Sequence, residues 1–316
     1  AFFNPSLQVH RQKADSTGNV FWMLQTGMSS DLLPLEEMVD YRDDSDPLSI
    51  KMGNPDLKNT HRYQVEFQYN HSVTNKNFNL NLGFHQTDNA MAYALTFDQR
   101  TGVSTLRPVS VNGNWDTDLI LGFSRPIDRA GKLSVDNELS GSYQHNVDMA
   151  TTSTSMESMR SIVHNWQLKD ELELDFRPND NYEIAFHGGG TYSYIHGRRE
   201  GFSDIHAGDY NIGLDATVDL PWHFQLSTDL TMFARRGYQQ DEMNTTDWVW
   251  NAELIRSFIH GKLLAKLKAF DILHELSTTS YAVNAQGRTE TWHNSIPRYL
   301  MFSLSWKFNI SPKKND

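Results

Sequence analysis

The stretch that decides the fold is residues 63–70, YQVEFQYN, in which apolar and polar side chains alternate. Val65 and Phe67 fall on one face of an extended chain, and the polar residues on either side of them fall on the other. A period of two residues is typical of a β-strand with one apolar face. After a polar turn at residues 71–76 the pattern resumes over residues 77–85, NFNLNLGFH, so the two segments predict an antiparallel hairpin.

The same alternation recurs along the chain and predicts a sheet of many strands. Two weaker strands precede residue 28. The further copies lie at residues 115–123, 133–143, 168–176, 182–186, 210–220, 224–232, 248–254, 263–269 and 300–308. We count about thirteen strands, with boundaries that a single sequence fixes only to within a few residues.

The connections between these segments alternate in length. Short connections lie near residues 14–18, 71–76, 127–131, 178–181, 221 and 260–261. Long connections lie near residues 29–60, 148–159, 197–208, 239–246 and 276–297. Short turns at one end and long loops at the other are typical of outer-membrane barrels. The pattern therefore predicts an all-β fold, a transmembrane antiparallel meander β-barrel with about 13–14 strands in this chain.

Aromatic residues near both ends of the strands support a membrane-embedded barrel. One band lies beside the short turns: Phe176, Tyr182, Trp222, Phe258 and Phe308. The other lies toward the long loops: Tyr192, Tyr194, Tyr238, Trp248 and Trp250. Two such bands match the aromatic girdles at membrane interfaces, although aromatic side chains also favour strands in general.

The parity of the strands bears on the size of the barrel. With the C-terminus on the periplasmic side, residue 1 lies near the outer end of a strand, and the number of strands is odd. Single-chain bacterial barrels have an even number, because every edge must be paired. We therefore expect residues 1–316 to be the C-terminal part of a larger barrel.

Composition excludes several classes of protein. The 316 residues are 38% hydrophobic, and no stretch approaches the roughly 18 consecutive apolar residues of a membrane-spanning helix. The chain has no cysteine, which excludes disulfide scaffolds, thiolate zinc sites and cysteine nucleophiles. Its formal charge of −11 predicts that nucleic acid is not a partner, because a phosphate backbone would be repelled.

Two segments resemble a known family: residues 41–70, YRDDSDPLSIKMGNPDLKNTHRYQVEFQYN, and residues 295–309, SIPRYLMFSLSWKFN. Both resemble the C-terminal barrel half of TonB-dependent receptors, in particular the Bacteroidetes-type outer-membrane β-barrel family. The most specific match is GNPDLK, whose motif residues are Gly53, Asn54, Pro55, Leu57 and Lys58. The last strand resembles the signal that the barrel-assembly machinery reads, carried by Leu300, Phe302, Leu304, Trp306 and Phe308.

The resemblance implies a barrel of about 22 strands in the bacterial outer membrane, with a lumen filled by the protein's own N-terminal plug domain. The plug and the segment that contacts TonB are expected upstream of residue 1. The implied partners are outer-membrane lipid, the TonB complex through the plug, and an extracellular solute such as a siderophore, vitamin, glycan or peptide. We expect solute contact at the long loops of residues 29–60 and 276–297.

Candidate sites for metal binding or catalysis are weak in this sequence. Asp43, Asp44 and Asp46 could gather Ca²⁺, but the spacing of an EF-hand loop is missing and we favour a solvated loop. The 13 histidines contain no HExxH pair, and Ser and His show no catalytic spacing. We predict no cofactor, no resident metal ion and no enzymatic activity.

Polar residues opposite the apolar face are predicted to face the lumen: Asp116, Asp118, Asp136, Glu138, Glu183, Asp215, Asp219, Asp229 and Arg235. They could form a solute path, although any lumen must be polar, and we favour hydrogen bonding to a plug. Two alternatives stay open. A smaller passive channel of the porin or fatty-acid transporter type would be complete with about fourteen strands. A soluble β-rich binding or adhesion protein would have no membrane role.

Overall fold

The computed structural model describes residues 3–16, 18–151, 157–199, 202–238, 241–276, 279–283, 288–292, 296 and 298–308. The elements in chain order are β1 (Ser6–Asp15), β2 (Gly18–Asp31), α1 (Leu35–Met38), β3 (Arg42–Asp43), β4 (Ser49–Met52), β5 (Thr60–Val73), β6 (Lys76–Asp88), β7 (Ala90–Asp98), β8 (Val103–Val111), β9 (Asn114–Pro126), β10 (Leu133–Ala150), β11 (Met159–Asn179), β12 (Tyr182–Gly197), β13 (Ile205–Leu220), β14 (Phe224–Arg236), β15 (Thr246–Phe258), β16 (Leu263–Phe270), β17 (Thr279–Val283), β18 (Arg288–Trp292) and β19 (Tyr299–Trp306). Short 3₁₀ turns cover Pro221–His223 and Asp241–Met243. Among the described residues, no helix has the length and apolar character needed to cross a membrane.

Thirteen strands form one antiparallel sheet, which is termed the wall. Its order is β1-β2-β5-β6-β9-β10-β11-β12-β13-β14-β15-β16-β19. The predicted strand count and the antiparallel meander are therefore confirmed. In the described part of the chain, β1 pairs only with β2 and β19 pairs only with β16, so the wall has two free edges.

One face of the wall is apolar and uncovered. Phe67 lies directly opposite Leu82 across β5 and β6, and Leu82 lies opposite Leu119 across β6 and β9. Leu82 is 44% exposed, Ile212 on β13 is 42% exposed and Leu304 on β19 is 63% exposed. Side chains packed beneath a second protein layer would be buried. The exposed apolar face is therefore the lipid-facing side of a barrel wall.

The two ends of the wall differ as the sequence predicts. Connections at one end, the turn end, are short and cover residues 16–17, 74–75, 127–132, 180–181, 221–223 and 259–262. Connections at the other end, the loop end, are longer and cover residues 32–59, 89–113, 151–158, 198–204, 237–245 and 271–298. The connection over residues 89–113 is a further long loop, which the sequence analysis does not predict.

The loop end carries a second sheet of four strands in the order β3-β4-β8-β7, which is termed the outer sheet. It joins the first long loop to residues 89–113, and β4 and β8 pair in parallel, with Ser49 opposite Ser104. A small cluster of buried side chains, Ala92, Val111 and Val147, packs the outer sheet against β10 of the wall. This cluster lies at the loop end and is small, because most apolar side chains of the wall face outward.

The last long connection is anchored at its start. Asp271 is fully buried, and its carboxylate accepts hydrogen bonds from the backbone N–H groups of Glu275 and Leu276, both at 3.1 Å. The backbone N–H of Asp271 donates to the side-chain oxygen of Asn251 at 2.9 Å, which ties the turn to β15. Strands β17 and β18 then form a separate hairpin farther along this connection.

Candidate functional site

The face of the wall opposite the apolar one is polar, and it is termed the inner face. It carries all the residues predicted for the lumen: Asp116, Asp118, Asp136, Glu138, Glu183, Asp215, Asp219, Asp229 and Arg235. Their neighbours are polar as well, since Asp229 accepts a hydrogen bond from Asn251 at 2.7 Å and Asp219 accepts one from Gln225 at 2.9 Å. The predicted placement on one face is confirmed, and a role in solute passage or plug contact stays a prediction.

Carboxylates on the inner face stand directly opposite one another on neighbouring strands. The pairs are Asp136 with Glu173, Glu138 with Glu171, and Asp215 with Asp229. Like charges at directly opposed positions repel each other and destabilise a sheet. Lys169 lies 2.7 Å from Glu171, which offsets part of this charge, and His187 lies 3.0 Å from Asp215. The inner face therefore suits a positively charged partner.

A second concentration of charge surrounds His85 on β6. Its Nδ1 lies 3.0 Å from Asp116 and 3.8 Å from Asp118, and its Nε2 lies 3.7 Å from Glu66. In the described part of the chain, His85, Asp116 and Asp118 form the group of three possible ligands whose donor atoms lie within 4.8 Å of one another. Gly83 makes room for this group, because a Cβ at that position would overlap the Asp118 carboxylate. Such donors can hold a divalent cation or a basic side chain.

The family motif lies where the outer sheet is joined together. Gly53 has no room for a side chain, because a Cβ there would overlap the carbonyl oxygen of Val39. Asn54 is buried, its Nδ2 donates to the carbonyl oxygen of Pro108 at 2.8 Å, and its Oδ1 accepts from Arg107 at 3.0 Å. These contacts fasten the first long loop to β8.

The remaining motif residues extend the same junction. Leu57 is buried, and the backbone N–H of Lys58 donates to the hydroxyl of Ser110 at 3.1 Å, whereas Pro55 is exposed. The sequence identifies the motif by resemblance, and the structure shows that its residues hold two loops together. A direct role of the motif in solute uptake stays a prediction.

The three aspartates considered as calcium ligands lie in the exposed part of the same loop. Asp43 Oδ1 accepts a hydrogen bond from the backbone N–H of Ser45 at 3.1 Å, and Asp46 Oδ1 accepts one from Leu48 at 3.0 Å. Hydrogen bonds from Ser45 hold the pKa of the Asp43 carboxyl below its ordinary value. Asp44 instead contacts the guanidinium group of Arg42 at 3.6 Å. Asp43 and Asp46 cap local turns, and the structure does not bring the three carboxylates together among the described groups.

The outer sheet also contains a hydrogen bond that the sequence analysis missed. Tyr93 Oη on β7 donates to Glu37 Oε1 on α1 at 2.7 Å. This hydrogen bond, together with partial burial, raises the pKa of Tyr93 to about 12. The phenol therefore remains a donor throughout the neutral pH range. The two residues are 56 positions apart, and no spacing rule would link them.

Two further predictions concern the end of the chain. Leu300, Phe302, Leu304 and Trp306 are exposed along β19, and Phe308 just beyond the strand is exposed as well. The apolar face of the last strand is therefore as predicted, and its recognition by the barrel-assembly machinery stays a prediction. The predicted solute contact at residues 276–297 lies largely outside the described side chains.

Comparison with known proteins gives a family match and similar solved structures. The model of the outer membrane protein beta-barrel family matches residues 34–168 and 144–306. A crystal structure of the ferric enterobactin receptor is similar with a TM-score of 0.47 and 9% identity, and the match covers 90% of this chain and 45% of the receptor chain. A mutant of the ferric enterobactin receptor from Pseudomonas aeruginosa, in complex with enterobactin, gives a TM-score of 0.44, 9% identity and the same two shares. No curated protein matches the chain.

The extent of the family match decides the assignment. The two matched ranges together run from residue 34 to residue 306, which includes most of the wall and the whole outer sheet. The chain spans 45% of the two receptor structures that it resembles. This chain belongs to the outer membrane protein beta-barrel family, and its place is the bacterial outer membrane.

Proposed function

We propose that this chain is the C-terminal part of a larger barrel, of about 22 strands, in a TonB-dependent receptor that takes up a large solute. The observation that carries the proposal is the pair of free edges on the thirteen-stranded wall. Each backbone N–H or C=O group left unpaired in lipid costs several kcal/mol. The edges β1 and β19 therefore need partner strands.

The direction of the edge strands argues against their pairing with each other. As the first and thirteenth strands of an antiparallel series, β1 and β19 run parallel. Closure between them would give a barrel with an odd number of strands and one parallel pair, whereas single-chain bacterial barrels have an even number of antiparallel strands. An odd number of further strands upstream would give both edges antiparallel partners.

The inner face supports a plug domain in the lumen. The opposed carboxylates Asp136/Glu173 and Asp215/Asp229 repel each other until positive groups are placed between them. A folded domain with arginine and lysine side chains supplies such groups through charge-assisted hydrogen bonds. We assign this role to the protein's own N-terminal plug domain, through which the TonB complex would also act.

The loop end supports reception of a solute from outside the cell. The outer sheet fixes residues 32–59 and 89–113 as one rigid surface above the wall, and the connection over residues 271–298 lies at the same end. Loops placed on a rigid scaffold are the usual positions of binding residues. The solute classes under this proposal are a siderophore, a vitamin, a glycan or a peptide.

Cysteine pairs test how the barrel closes, because the chain contains no cysteine of its own. In the full-length protein in the outer membrane, the pair Val9→Cys, Leu304→Cys should not be joined by a short bifunctional thiol reagent, since β1 and β19 are not neighbours in a larger barrel. The control pair Val9→Cys, Leu24→Cys should be joined, because these residues lie directly opposite each other. Equally efficient linkage of both pairs, read as intramolecular products on a gel, would instead establish the smaller passive channel.

Growth tests address uptake and its energy source. A strain without this gene should lose growth on at least one iron chelate, vitamin, glycan or peptide supplied as the limiting nutrient. A strain without TonB should lose growth on the same nutrient, and the double deletion should be no worse than either single deletion. Growth lost without this gene but retained without TonB would contradict the receptor and support passive passage.

A further inference from the structure

Three histidines form a row on the lipid-facing side of the wall. His145 on β10 lies directly opposite His164 on β11, and His164 lies directly opposite His196 on β12. Their side chains point to the same side as the exposed Leu168 of β11, which is the lipid-facing side. The three residues are termed the histidine row, and they belong to the loop-end half of their strands.

Aromatic rings hold the histidine row in position. His145 stacks on Trp115 with the ring centroids 5.9 Å apart and the planes at 12°. The His145 and His164 rings are 5.1 Å apart, and the His164 and His196 rings are 6.1 Å apart. Tyr194 lies 6.3 Å from His196. The row therefore lies among aromatic side chains near the loop end, where the membrane meets the water outside the cell.

The hydrogen bonds of these rings decide which nitrogen is available. His145 Nδ1 lies 2.7 Å from the carbonyl oxygen of Gly113, and His196 Nδ1 lies 2.8 Å from a carboxylate oxygen of Asp204. A carbonyl or a carboxylate oxygen only accepts, so Nδ1 carries the proton in both rings. In a neutral imidazole the other nitrogen, Nε2, then bears a free lone pair.

The central ring completes the set. His164 Nδ1 lies 2.7 Å from the hydroxyl of Tyr143, which both donates and accepts and can therefore accept from Nδ1–H when Nε2 binds a metal ion. Among the residues that the structure describes, no hydrogen bond reaches Nε2 of His145, His164 or His196. A histidine whose Nδ1–H is held by an oxygen and whose Nε2 is free has the arrangement of a metal ligand with its supporting partner.

We propose that the histidine row binds a divalent transition-metal ion on the lipid-facing side of the wall, near its loop end. The ion is held by Nε2 of His164 and Nε2 of one neighbouring histidine, and water completes its coordination. Directly opposed residues have Cβ atoms about 5 Å apart, which allows both rings to reach one ion at metal–nitrogen distances of about 2.0–2.1 Å after small side-chain rotations. The inference goes beyond the proposed function and does not depend on it.

The donor atoms define the class of ion. Imidazole nitrogen suits Zn²⁺, Cu²⁺ and Ni²⁺, whereas Ca²⁺ and Mg²⁺ require oxygen ligands. Asp204 is a positioning residue, since its carboxylate accepts a hydrogen bond from Nδ1 of His196 and orients that ring. An anionic lipid headgroup is a weaker match, because the Asp204 carboxylate beside His196 would repel it.

The test uses full-length protein purified in detergent and stripped of metal with a chelator. Binding is measured with Zn²⁺ in competition with a chromogenic chelator, and with Cu²⁺ by electron paramagnetic resonance, which reports nitrogen ligands. His164→Ala should weaken binding by more than about tenfold and remove the two-nitrogen signal, because it removes the histidine shared by both pairs. His10→Ala on β1 is the control and should bind like the natural protein.

The positioning role of Asp204 has its own readout. With His196 as the second ligand, Asp204→Ala should weaken binding by about tenfold while the protein still binds Cu²⁺ through nitrogen, and Asp204→Glu should restore most of the affinity. Unchanged binding by Asp204→Ala assigns the second ligand to His145, which has no contact with Asp204. Folding of every variant is checked by the mobility difference between heated and unheated samples on a gel. The proposal is overturned if correctly folded His164→Ala protein binds both metals as tightly as the natural protein. It is also overturned if His164 affects only the retention of anionic lipid.

Discussion

Replacing Leu82 by arginine is expected to lower the free energy of unfolding by about 2–4 kcal/mol, the cost of a basic side chain near the middle of the lipid-facing side of a barrel. Leu82 lies midway along β6 and is 44% exposed on the apolar face of the wall. Its cross-strand neighbours Phe67 and Leu119 are apolar, so the guanidinium group would find no partner there. The measurement is a urea titration of the full-length protein folded in lipid vesicles.

The neighbouring residue provides a matched control. Asn81 precedes Leu82 on the same strand and faces the opposite side, where it is paired with Gln68 and Ile120. Asn81→Arg at the inner face should change the free energy of unfolding by less than about 0.5 kcal/mol, because its charge meets a wet and acidic surface. Equal destabilisation by the two arginines would show that both faces of the wall meet the same environment, and the lipid-facing assignment would fail.

Replacing Asn54 by alanine should loosen the contact between the two segments of the outer sheet. The free energy needed to open the outer sheet should fall by about 1–3 kcal/mol. The change leaves the buried carbonyl oxygen of Pro108 and the guanidinium group of Arg107 without the partners that Asn54 provides. The wall should remain folded, because no wall strand contributes to these two hydrogen bonds. Hydrogen exchange measured by mass spectrometry should show faster exchange in β4 and β8.

Asp56 provides the control for this second change. It lies two residues from Asn54 in the same loop, but its side chain is exposed. Asp56→Ala should therefore leave the exchange rates of β4 and β8 near those of the natural protein. If Asn54→Ala exchanges no faster than Asp56→Ala, the motif does not hold the two loops together.

The sequence predicts the wall well because the alternation of apolar and polar residues within each strand shows which side chains share a face. The alternation at residues 77–85 needs no knowledge of any other segment, and the observed β6 covers that stretch. Asp170 interrupts the apolar alternation of residues 168–176. It lies on the lipid-facing side of β11, where Asn137 donates a hydrogen bond to it at 2.8 Å, so a polar neighbour satisfies its carboxylate.

The outer sheet could not be predicted in the same way. Its parallel pairing of Ser49 with Ser104 joins segments that are separated by the whole β5–β6 hairpin. The strands β3 and β4 have only 2 and 4 residues, which is too short for a period to be counted. The motif residue Asn54 is visible in the sequence, but the buried partner that it contacts, Pro108, is 54 positions away.

The candidate sites likewise combine residues that the sequence identifies with contacts that only the fold creates. The acidic residues of the inner face are recognised from strand periodicity, whereas the opposition of Asp215 and Asp229 depends on the register between two strands. The histidine row was missed for a related reason. A search for metal-ligand spacing examines residues within one element, whereas His145 and His164 approach each other only across a pair of strands.

The hydrogen bonds between Asn54 and β8 limit how the exterior of this barrel can be redesigned. An engineer who transplanted residues 32–59 alone onto another barrel would carry over Asn54 without Pro108 and Arg107, and the grafted loop would lose its anchor. Residues 32–59 and 89–113 form one exchangeable unit, although the β5–β6 hairpin separates them in the sequence. Chimeras that swap both should keep the shape of the donor's exterior, and chimeras that swap one should not.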